Sequence, residues 1–156
     1  MKQINLTRGM VALVDDDDYK SLLKYTWYFS SSGYAASSTW DGKKNVHFTM
    51  HRLLLNIKKG IFIDHIDNNK LNNQRSNLRK CTHSQNCMNT YFPKGKSKYK
   101  GVAFLKKRNK WVAQITANGK YKYLGEFIVE EDAARAYNEA AIVLHGQFAR
   151  INEVKR

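Results

Sequence analysis

Apolar and polar residues alternate most regularly in the last third of the chain. Three segments there have the two-residue period of β-strands, at residues 99–105, 110–116 and 120–124. Between the last two, Ala117-Asn118-Gly119 is typical of a tight hairpin turn. Glu130–His145 instead repeats its apolar residues at helical spacing, with acidic residues in its first turn and a glycine after its end. The pattern predicts three strands followed by one helix.

The same alternation gives the two sides of this sheet different surfaces. The residues expected to cover the apolar side of the helix are Val102, Phe104, Trp111, Ala113, Ile115 and Leu124. The residues expected on the opposite side are Lys100, Gln114, Thr116, Tyr121 and Tyr123. A polar, aromatic and basic sheet surface opposite a packed helix is typical of β-sheets that bind in a DNA groove. An ordinary solvated sheet surface is the alternative.

The first ninety residues contain shorter apolar segments. Residues 10–14 form a short apolar run, and short strands are predicted at residues 27–29, 34–36, 46–50, 61–63 and 78–81. A helix is predicted at 19–25, and we interpret the preceding Asp15–Asp18 as helix-start residues that complement the helix dipole rather than as a metal site. Thr82-His83-Ser84-Gln85 has the form of a capping box, which predicts another helix from Thr82.

Positive charge is concentrated in the middle and at the end of the chain. The net charge is +14, distributed as +1 over residues 1–50, +5 over 51–90 and +8 over 91–156. This distribution favours a polyanionic partner, usually nucleic acid, bound by the middle and C-terminal parts. Charge alone leaves open a merely basic surface without such a partner.

The two cysteines, Cys81 and Cys87, are too few for a disulfide framework or a four-cysteine zinc site. We therefore expect reduced thiols and no structural zinc. The first residues lack the apolar core of a signal peptide, and no apolar run approaches the length of a membrane span. These features predict a cytoplasmic protein that does not enter a membrane.

Asp64, His65, Asn77 and Asn86 are the residues that could perform chemistry together. A carboxylate at a strand end and an amide oxygen on the following helix could bind Mg²⁺ or Mn²⁺, which prefer a few oxygen ligands and keep some of their waters. The imidazole of His65 is suited to act as a general base on water at a phosphodiester. A buried Asn77 could hold the intervening loop with hydrogen bonds. Taken singly, each of these residues is more often structural.

Together, the string IDHIDNNKLNNQRSNLRKCTHSQN resembles the core of the HNH endonucleases of phages and introns. The resemblance covers roughly residues 51–90 and implies a ββα-metal fold. By this resemblance Asp64 and Asn86 are the metal ligands, His65 is the general base and Asn77 is the structural asparagine. Asn86 stands where many members of the family have histidine, and an amide oxygen is still able to bind a hard cation.

A second resemblance covers residues 98–152. The segments YKGV, KW, YLGEF and AARAYNEAA resemble the Apetala-two/ethylene-response-factor DNA-binding domain. This resemblance implies that Lys100, Gln114, Thr116, Tyr121 and Tyr123 lie at positions that contact DNA. The sequence departs from the plant domains at several positions where those have arginine or tryptophan, namely Ala103, Leu105, Thr116, Tyr121 and Tyr123. We therefore do not expect the plant target sequence to be shared.

The expected fold class is α+β, in four parts. An N-terminal α+β segment (1–50) is followed by the ββα-metal nuclease core (51–92), a linker (93–97) and a three-stranded antiparallel sheet packed on one helix (98–153). The sequence thus predicts a monomeric, metal-dependent endonuclease of homing or phage type that acts on double-stranded DNA without a small-molecule cofactor.

Two other functions are compatible with parts of the sequence. One is a DNA-binding regulator whose nuclease core has lost its function, which the intact set of Asp64, His65, Asn77 and Asn86 disfavours. The other is an RNA-binding, ribosome-associated protein, which fits the charge but does not explain the spacing of these residues.

Overall fold

The computed structural model describes residues 1–57, 60–90 and 95–155. The chain forms two compact units, Met1–Thr82 and His83–Arg156. Pro93 and Lys94, the first residues of the predicted linker, lie outside the described residues. No helix in the described part of the chain is both long and apolar enough to cross a membrane.

The first unit begins with an antiparallel pair of strands, β1 (Lys2–Asn5) and β2 (Val11–Val14). Strand β2 lies in the apolar run of residues 10–14, whereas β1 was missed, because only Ile4 is buried in it and its alternation is too weak to recognise. Helix α1 (Asp16–Leu22) follows and starts three residues earlier than predicted. It ends where the indole of Trp27 donates to the carbonyl of Leu22 at 2.8 Å.

Two of the four aspartates, Asp15 and Asp18, connect α1 to the segment before residue 78. Asp15, at the N-cap, makes no capping hydrogen bond with its side chain. Its carboxylate instead accepts from the backbone amide of Arg75 at 2.8 Å. Asp18 accepts from two guanidinium nitrogens of Arg75 at 2.7 and 2.8 Å. Asp16, Asp17 and Asp18 occupy the first helical turn, where negative charge complements the helix dipole as predicted.

A second sheet and a short helix follow α1. Strands β3 (Tyr28–Phe29), β4 (Ala35–Trp40) and β5 (Asn45–Thr49) pair antiparallel in sequential order. Helix α2 (Met50–Leu54) begins directly after β5. Met50 and Leu54 are buried because they face the core of the unit, whereas Leu53 is exposed.

The last elements of the first unit form a β-hairpin with a long connection. Strand β6 (Phe62–His65) pairs antiparallel with β7 (Leu78–Cys81), so that Asp64 faces Arg79 across the pair. Residues of all parts of the unit share one core, formed by Ile4, Leu6, Ala12, Val14, Leu22, Trp27, Ala35, Met50, Leu54, Ile63, Leu71 and Leu78. The predicted N-terminal segment and the β6–β7 hairpin are therefore packed as one body rather than as separate parts.

The second unit begins with helix α3 (His83–Asn89), one residue after its predicted start. Strands β8 (Val102–Leu105), β9 (Lys110–Ala117) and β10 (Lys120–Phe127) form an antiparallel sheet with β9 in the centre. Asn118 and Gly119 have φ of 53° and 73°, as a hairpin turn between β9 and β10 requires.

Helix α4 (Glu130–His145) packs on one side of this sheet over the length predicted from its spacing. Five of the six predicted helix-facing residues are confirmed: Val102, Ala113 and Ile115 are buried, and Trp111 and Leu124 pack against the same cores. The ring of the sixth, Phe104, contacts that of Trp111. Two strand bounds differ from the prediction. The chain turns at Gly101 before β8 begins, and a bulge between Tyr123 and Gly125 lets β10 continue to Phe127.

Gly101 is a position where the packing of α4 excludes any side chain. Its φ is 75°, and a Cβ there would lie 1.9 Å from the ring of Tyr137. We expect Gly101→Ala to lower the free energy of unfolding by about 2–4 kcal/mol, since left-handed strain adds to overpacking. Gly119→Ala is the matched control, because Gly119 has a φ of 73° and a methyl group added there would meet no other atom within 4 Å.

Urea unfolding of both variants measures the difference. The Gly119→Ala variant should lose only the strain of a left-handed alanine, about 1–2 kcal/mol. Equal losses in the two variants would contradict the tight contact between Gly101 and Tyr137.

Candidate active site and DNA-facing sheet

Asp64 and His65 are adjacent and almost fully buried at the end of β6, with 4% and 5% of their surfaces exposed. Burying a carboxylate and an imidazole is unfavourable unless both are well partnered. The neighbouring strand meets part of this need, because Arg79 donates from Nε and Nη2 to Oδ2 of Asp64 at 2.8 and 2.6 Å. The ion pair is itself shielded, since Arg79 is only 15% exposed.

Arg79 is a residue of this site that reasoning from the sequence did not single out. The sequence could have indicated it, because antiparallel pairing of the two predicted strands can place Arg79 opposite Asp64, and opposite charges at facing positions stabilise a strand pair. The register was not known, however, and a shift of one residue would have put Arg79 on the other side of the hairpin.

His65 lies among aromatic rings. The centroid of its ring is 5.2 Å from that of His51 and 5.9 Å from that of Tyr34, and the last two are 4.9 Å apart. Burial lowers the pKa of His65, and a hydrogen bond between its ring and the side chain of Asn73 and the charges of Asp67 and Asp64 oppose this only in part. The environment therefore favours the neutral imidazole, the form that accepts a proton.

The rings of His51 and Tyr34 lie next to that of His65. Burial, followed by the nearby His65 and Arg52, lowers the pKa of His51 to about 3. Nε2 of His51 lies 3.1 Å from the hydroxyl of Thr49. Burial, together with the charge of Asp64, raises the pKa of Tyr34. Both side chains therefore stay neutral near His65.

Asn77 closes the long connection between β6 and β7. Its Nδ2 donates to Oδ1 of Asp67 at 2.9 Å and to the carbonyl of Asn72 at 2.8 Å, and its Oδ1 accepts from the amide of Asp67 at 3.0 Å. The backbone carbonyl of Asn77 also accepts from Ile66 at 2.9 Å. These bonds fix the segment that directly follows His65, the arrangement expected for a structural asparagine.

The carboxylate of Asp67 is stabilised in its charged form by the same connection. Burial raises its pKa, but hydrogen bonds from Asn72, from the backbone of Asn69 and from Asn77 outweigh this effect and lower it. The negative charge of Asp67 therefore lies two residues from His65 and is held in place by the loop.

Asn86 lies on α3 and is half-buried. It belongs to the second compact unit, whereas Asp64, His65 and Asn77 belong to the first. The structure thus brings together three of the four predicted nuclease residues in one hairpin. Shared binding of one metal ion by Asp64 and Asn86 stays a prediction.

Among the described residues, no group of three or more His, Cys, Asp or Glu side chains could hold a metal ion. Asp64 and Asn86 instead offer one carboxylate and one amide, a small set of hard oxygen donors. Such a set suits Mg²⁺ or Mn²⁺, which retain several waters, better than zinc, which prefers nitrogen and sulfur ligands. The residues present therefore fit the predicted kind of ion.

The predicted DNA-facing residues of β9 and β10 share one side of the sheet. Tyr121 lies opposite Thr116 and Tyr123 opposite Gln114 in the antiparallel register. The two tyrosines are 62% and 52% exposed, and the hydroxyl of Tyr121 donates to Oε1 of Gln114 at 3.0 Å. Thr116 is also exposed and Gln114 is half-buried, so that the four residues form a polar and aromatic surface opposite α4.

Lys100, the fifth predicted DNA contact, has a different environment. Its ammonium donates to the carbonyls of Cys87 at 3.2 Å, of Thr90 at 2.6 Å and of Met88. Burial lowers its pKa to about 8, and the nearby Arg150 acts in the same direction. This position favours a structural role for Lys100 over contact with a phosphate.

Comparison with known proteins gives the family. The family model described as HNH endonuclease matches residues 56–88. An uncharacterized HNH endonuclease of Acanthamoeba polyphaga mimivirus is 37% identical over 150 residues, which are 94% of this chain and 77% of that protein. Protein 3.8 of Escherichia phage T7 is 40% identical over 95 residues, or 60% of this chain and 78% of the relative. The chain belongs to the HNH endonuclease family.

The C-terminal unit has its own similarities. The family model described as AP2 domain matches residues 97–147. An AP2-like ethylene-responsive transcription factor of Arabidopsis thaliana is 43% identical over 63 residues, which are 40% of this chain and 13% of that protein. Among solved structures, the HNH homing endonuclease I-HmuI is 31% identical with a TM-score of 0.37, over 40% of this chain and 39% of that one. The chain thus combines an HNH endonuclease region with an AP2 domain.

The hydrogen bonds of Asn77 yield a prediction that separates geometry from charge. Asn77→Asp keeps the shape of the side chain but replaces the donating amide by an oxygen that faces the carboxylate of Asp67. We expect the free energy of unfolding to fall by about 2–3 kcal/mol, because two donated hydrogen bonds are lost and an acceptor is left facing another acceptor.

Asn69→Asp is the control for added charge in the same loop. Asn69 is exposed, and its Oδ1 accepts from the amide of Leu71, which a carboxylate can also do. Urea unfolding should show a change within about 0.5 kcal/mol for this variant. A comparable loss in both variants would mean that charge, rather than the bonds of Asn77, limits stability.

Proposed function

We propose that this protein is a metal-dependent DNA endonuclease that its AP2 domain directs to particular sites, as in a homing or phage nuclease. The observation that carries the proposal is the buried Asp64–His65 pair on the β6–β7 hairpin of a chain in the HNH endonuclease family. Buried neighbouring polar groups of this kind are costly in a purely structural hairpin, and they are suited to catalysis.

In this proposal Asp64 and Asn86 hold a divalent cation. A bound Mg²⁺ or Mn²⁺ acts as a Lewis acid that stabilises the negative charge on the phosphate and on the leaving oxygen. Arg79 holds the carboxylate of Asp64 in one orientation through its two hydrogen bonds. The carboxylate is thereby preorganised, which reduces the entropy lost when it binds a ligand.

His65 acts as the general base that takes a proton from the attacking water. Its burial favours the neutral imidazole, and the rings of His51 and Tyr34 restrict its rotation. Asn77 contributes indirectly, because its hydrogen bonds to Asp67 and Asn72 hold the segment after His65. We assign Asn77 to positioning rather than to a chemical step.

The C-terminal unit supplies binding and preference for DNA sequence. Its part of the chain, residues 91–156, carries a net charge of +8, which attracts the phosphate backbone. The surface formed by exposed Thr116, Tyr121 and Tyr123 and by half-buried Gln114 offers hydrogen-bonding groups and two aromatic rings to base edges. Further exposed basic residues, Lys106, Lys107 and Arg108, lie in the turn between β8 and β9.

A DNA-binding regulator without nuclease activity is the second candidate. The similarity of the C-terminal unit to an AP2-like transcription factor favours it. The complete set of Asp64, His65, Asn77 and Asn86, with the buried pairing of Asp64 and Arg79, favours the nuclease. Cleavage of DNA decides between the two.

The test is to incubate the full-length protein with duplex DNA in the presence of Mg²⁺ or Mn²⁺ and to map the ends of any products. We expect cleavage that EDTA abolishes and that added metal restores. His65→Ala should reduce the cleavage rate by about 10²–10⁴ and leave DNA affinity within a few-fold, since a general base contributes little to ground-state binding.

His47→Ala is the matched control, because His47 is an exposed histidine in the same unit. It should cleave like the parent. Cleavage that persists in EDTA would contradict the metal, and cleavage at the parental rate by the His65→Ala variant would contradict the assigned base.

The surface of β9 and β10 generates a separate expectation. Tyr123→Ala or Gln114→Ala should change which sequences are preferred, because each lost base contact is worth about 1–3 kcal/mol of discrimination. Lys122→Ala is the control, since Lys122 lies opposite Ile115 and therefore on the other side of the sheet. Selection from a random duplex library at one salt concentration compares the variants. An unchanged preference in Tyr123→Ala and Gln114→Ala would exclude this surface as the reader.

A further inference from the structure

The C-terminal end of α3 is held by a residue from outside the helix. The last carbonyls of any α-helix lack partners within it, and positive charge there complements the helix dipole. In this unit the ammonium of Lys100 donates to the carbonyls of Cys87, Met88 and Thr90. One side chain thus provides the capping that a glycine or a basic residue of the helix would normally supply.

Helix α3 is short, and among its described contacts Thr90 and Lys100 bond its last carbonyls. It has seven residues, a length at which an isolated helix is not stable in water. Its last turn contains no basic residue. The hydroxyl and the amide of Thr90 both donate to the carbonyl of Asn86, at 2.6 and 3.1 Å. The turn that starts at Asn86 therefore depends on Thr90 and, through its carbonyl, on Lys100.

Lys100 is in turn fixed to the AP2 domain by its backbone. Its amide donates to Oδ1 of Asn152 at 2.7 Å, and its carbonyl accepts from Nδ2 of Asn152 at 3.0 Å. Asn152 is buried and exchanges two further hydrogen bonds with Asn138 of α4, at 2.8 and 2.9 Å. A continuous set of hydrogen bonds therefore runs from α4 through Asn152 and Lys100 to the end of α3.

We propose that Lys100 is a positioning residue of the nuclease: by capping α3 it fixes Asn86, so that metal binding depends on the folded AP2 domain. The inference rests on the proposed function, since it takes Asn86 as a metal ligand. It assigns the ammonium of Lys100 to the protein interior instead of to a DNA phosphate. Its pKa of about 8, lowered by burial, agrees with that location.

The experiment uses the full-length protein and Lys100→Met, which keeps the length of the side chain and removes its donors. In the absence of metal, amide hydrogen exchange of residues 86–90 should become at least tenfold faster. The affinity for Mn²⁺, titrated calorimetrically, should fall about tenfold. The slope of log DNA affinity against log salt should stay that of the parent. Lys122→Met, at an exposed lysine of β10, should leave all three measurements unchanged.

A role in DNA binding gives the opposite result. If Lys100 neutralises a phosphate, Lys100→Met should reduce the salt slope by about 0.9 and leave the exchange of residues 86–90 unchanged. Unchanged exchange overturns the proposal whatever the slope. If the parent binds no Mn²⁺, the proposed metal site fails, while the exchange rates still test the cap separately.

Two milder variants guard against misfolding of Lys100→Met. Lys100→Arg keeps the charge and several donors, and Lys100→Gln keeps one amide donor without charge. The exchange of residues 86–90 should increase from the parent through Lys100→Arg to Lys100→Gln, at equal circular dichroism of the whole protein. Equal exchange in all three proteins would overturn the cap.

Discussion

The structure of the first unit depends on the burial of two adjacent polar residues, Asp64 and His65, at the end of β6. A carboxylate and an imidazole are stable in the interior only if the surrounding groups meet their hydrogen-bonding needs and leave them in one orientation. Arg79 does this for Asp64 from the facing strand, with two bonds to one oxygen. Asn77, at the end of the loop from residue 66 to residue 77, holds the segment after His65 by accepting hydrogen bonds from Ile66 and Asp67. The short N-terminal sheets and α1 are the support of this hairpin, since they share its core and bind Arg75 through Asp15 and Asp18.

In the second unit the two sides of the β8–β10 sheet differ: one packs against α4 and the other is open to solvent. Small and aromatic residues on one side allow α4 to pack closely, to the point that Gly101 tolerates no Cβ beside Tyr137. The other side stays exposed at Tyr121 and Tyr123. Because strand residues alternate strictly between sides, the exposed side can vary without disturbing the packed one.

Much of the fold followed from local pattern. The bounds of α4 and β7, the turn at Asn118-Gly119 and the helix-facing residues of the C-terminal sheet agree with the prediction, because they depend on spacing and turn chemistry within a few residues. The strand β1 was missed because it is defined by its pairing with β2. Helix α1 was placed too late because its ends are bonded by residues distant in the pattern, Arg75 at its start and Trp27 at its end.

The amino-acid sequence by itself determined the candidate chemistry. The types and spacing of Asp64, His65, Asn77 and Asn86 resemble the core of the HNH endonucleases, and the comparisons confirm that family. Only the tertiary structure decided the surroundings of these groups. It placed Arg79 on Asp64, placed His51 and Tyr34 around His65, and turned Lys100 from the sheet surface to the end of α3. The reason is physical: burial and hydrogen bonding depend on which distant segments meet, and a long flexible side chain such as lysine takes its partner from what surrounds it rather than from its position in the strand pattern.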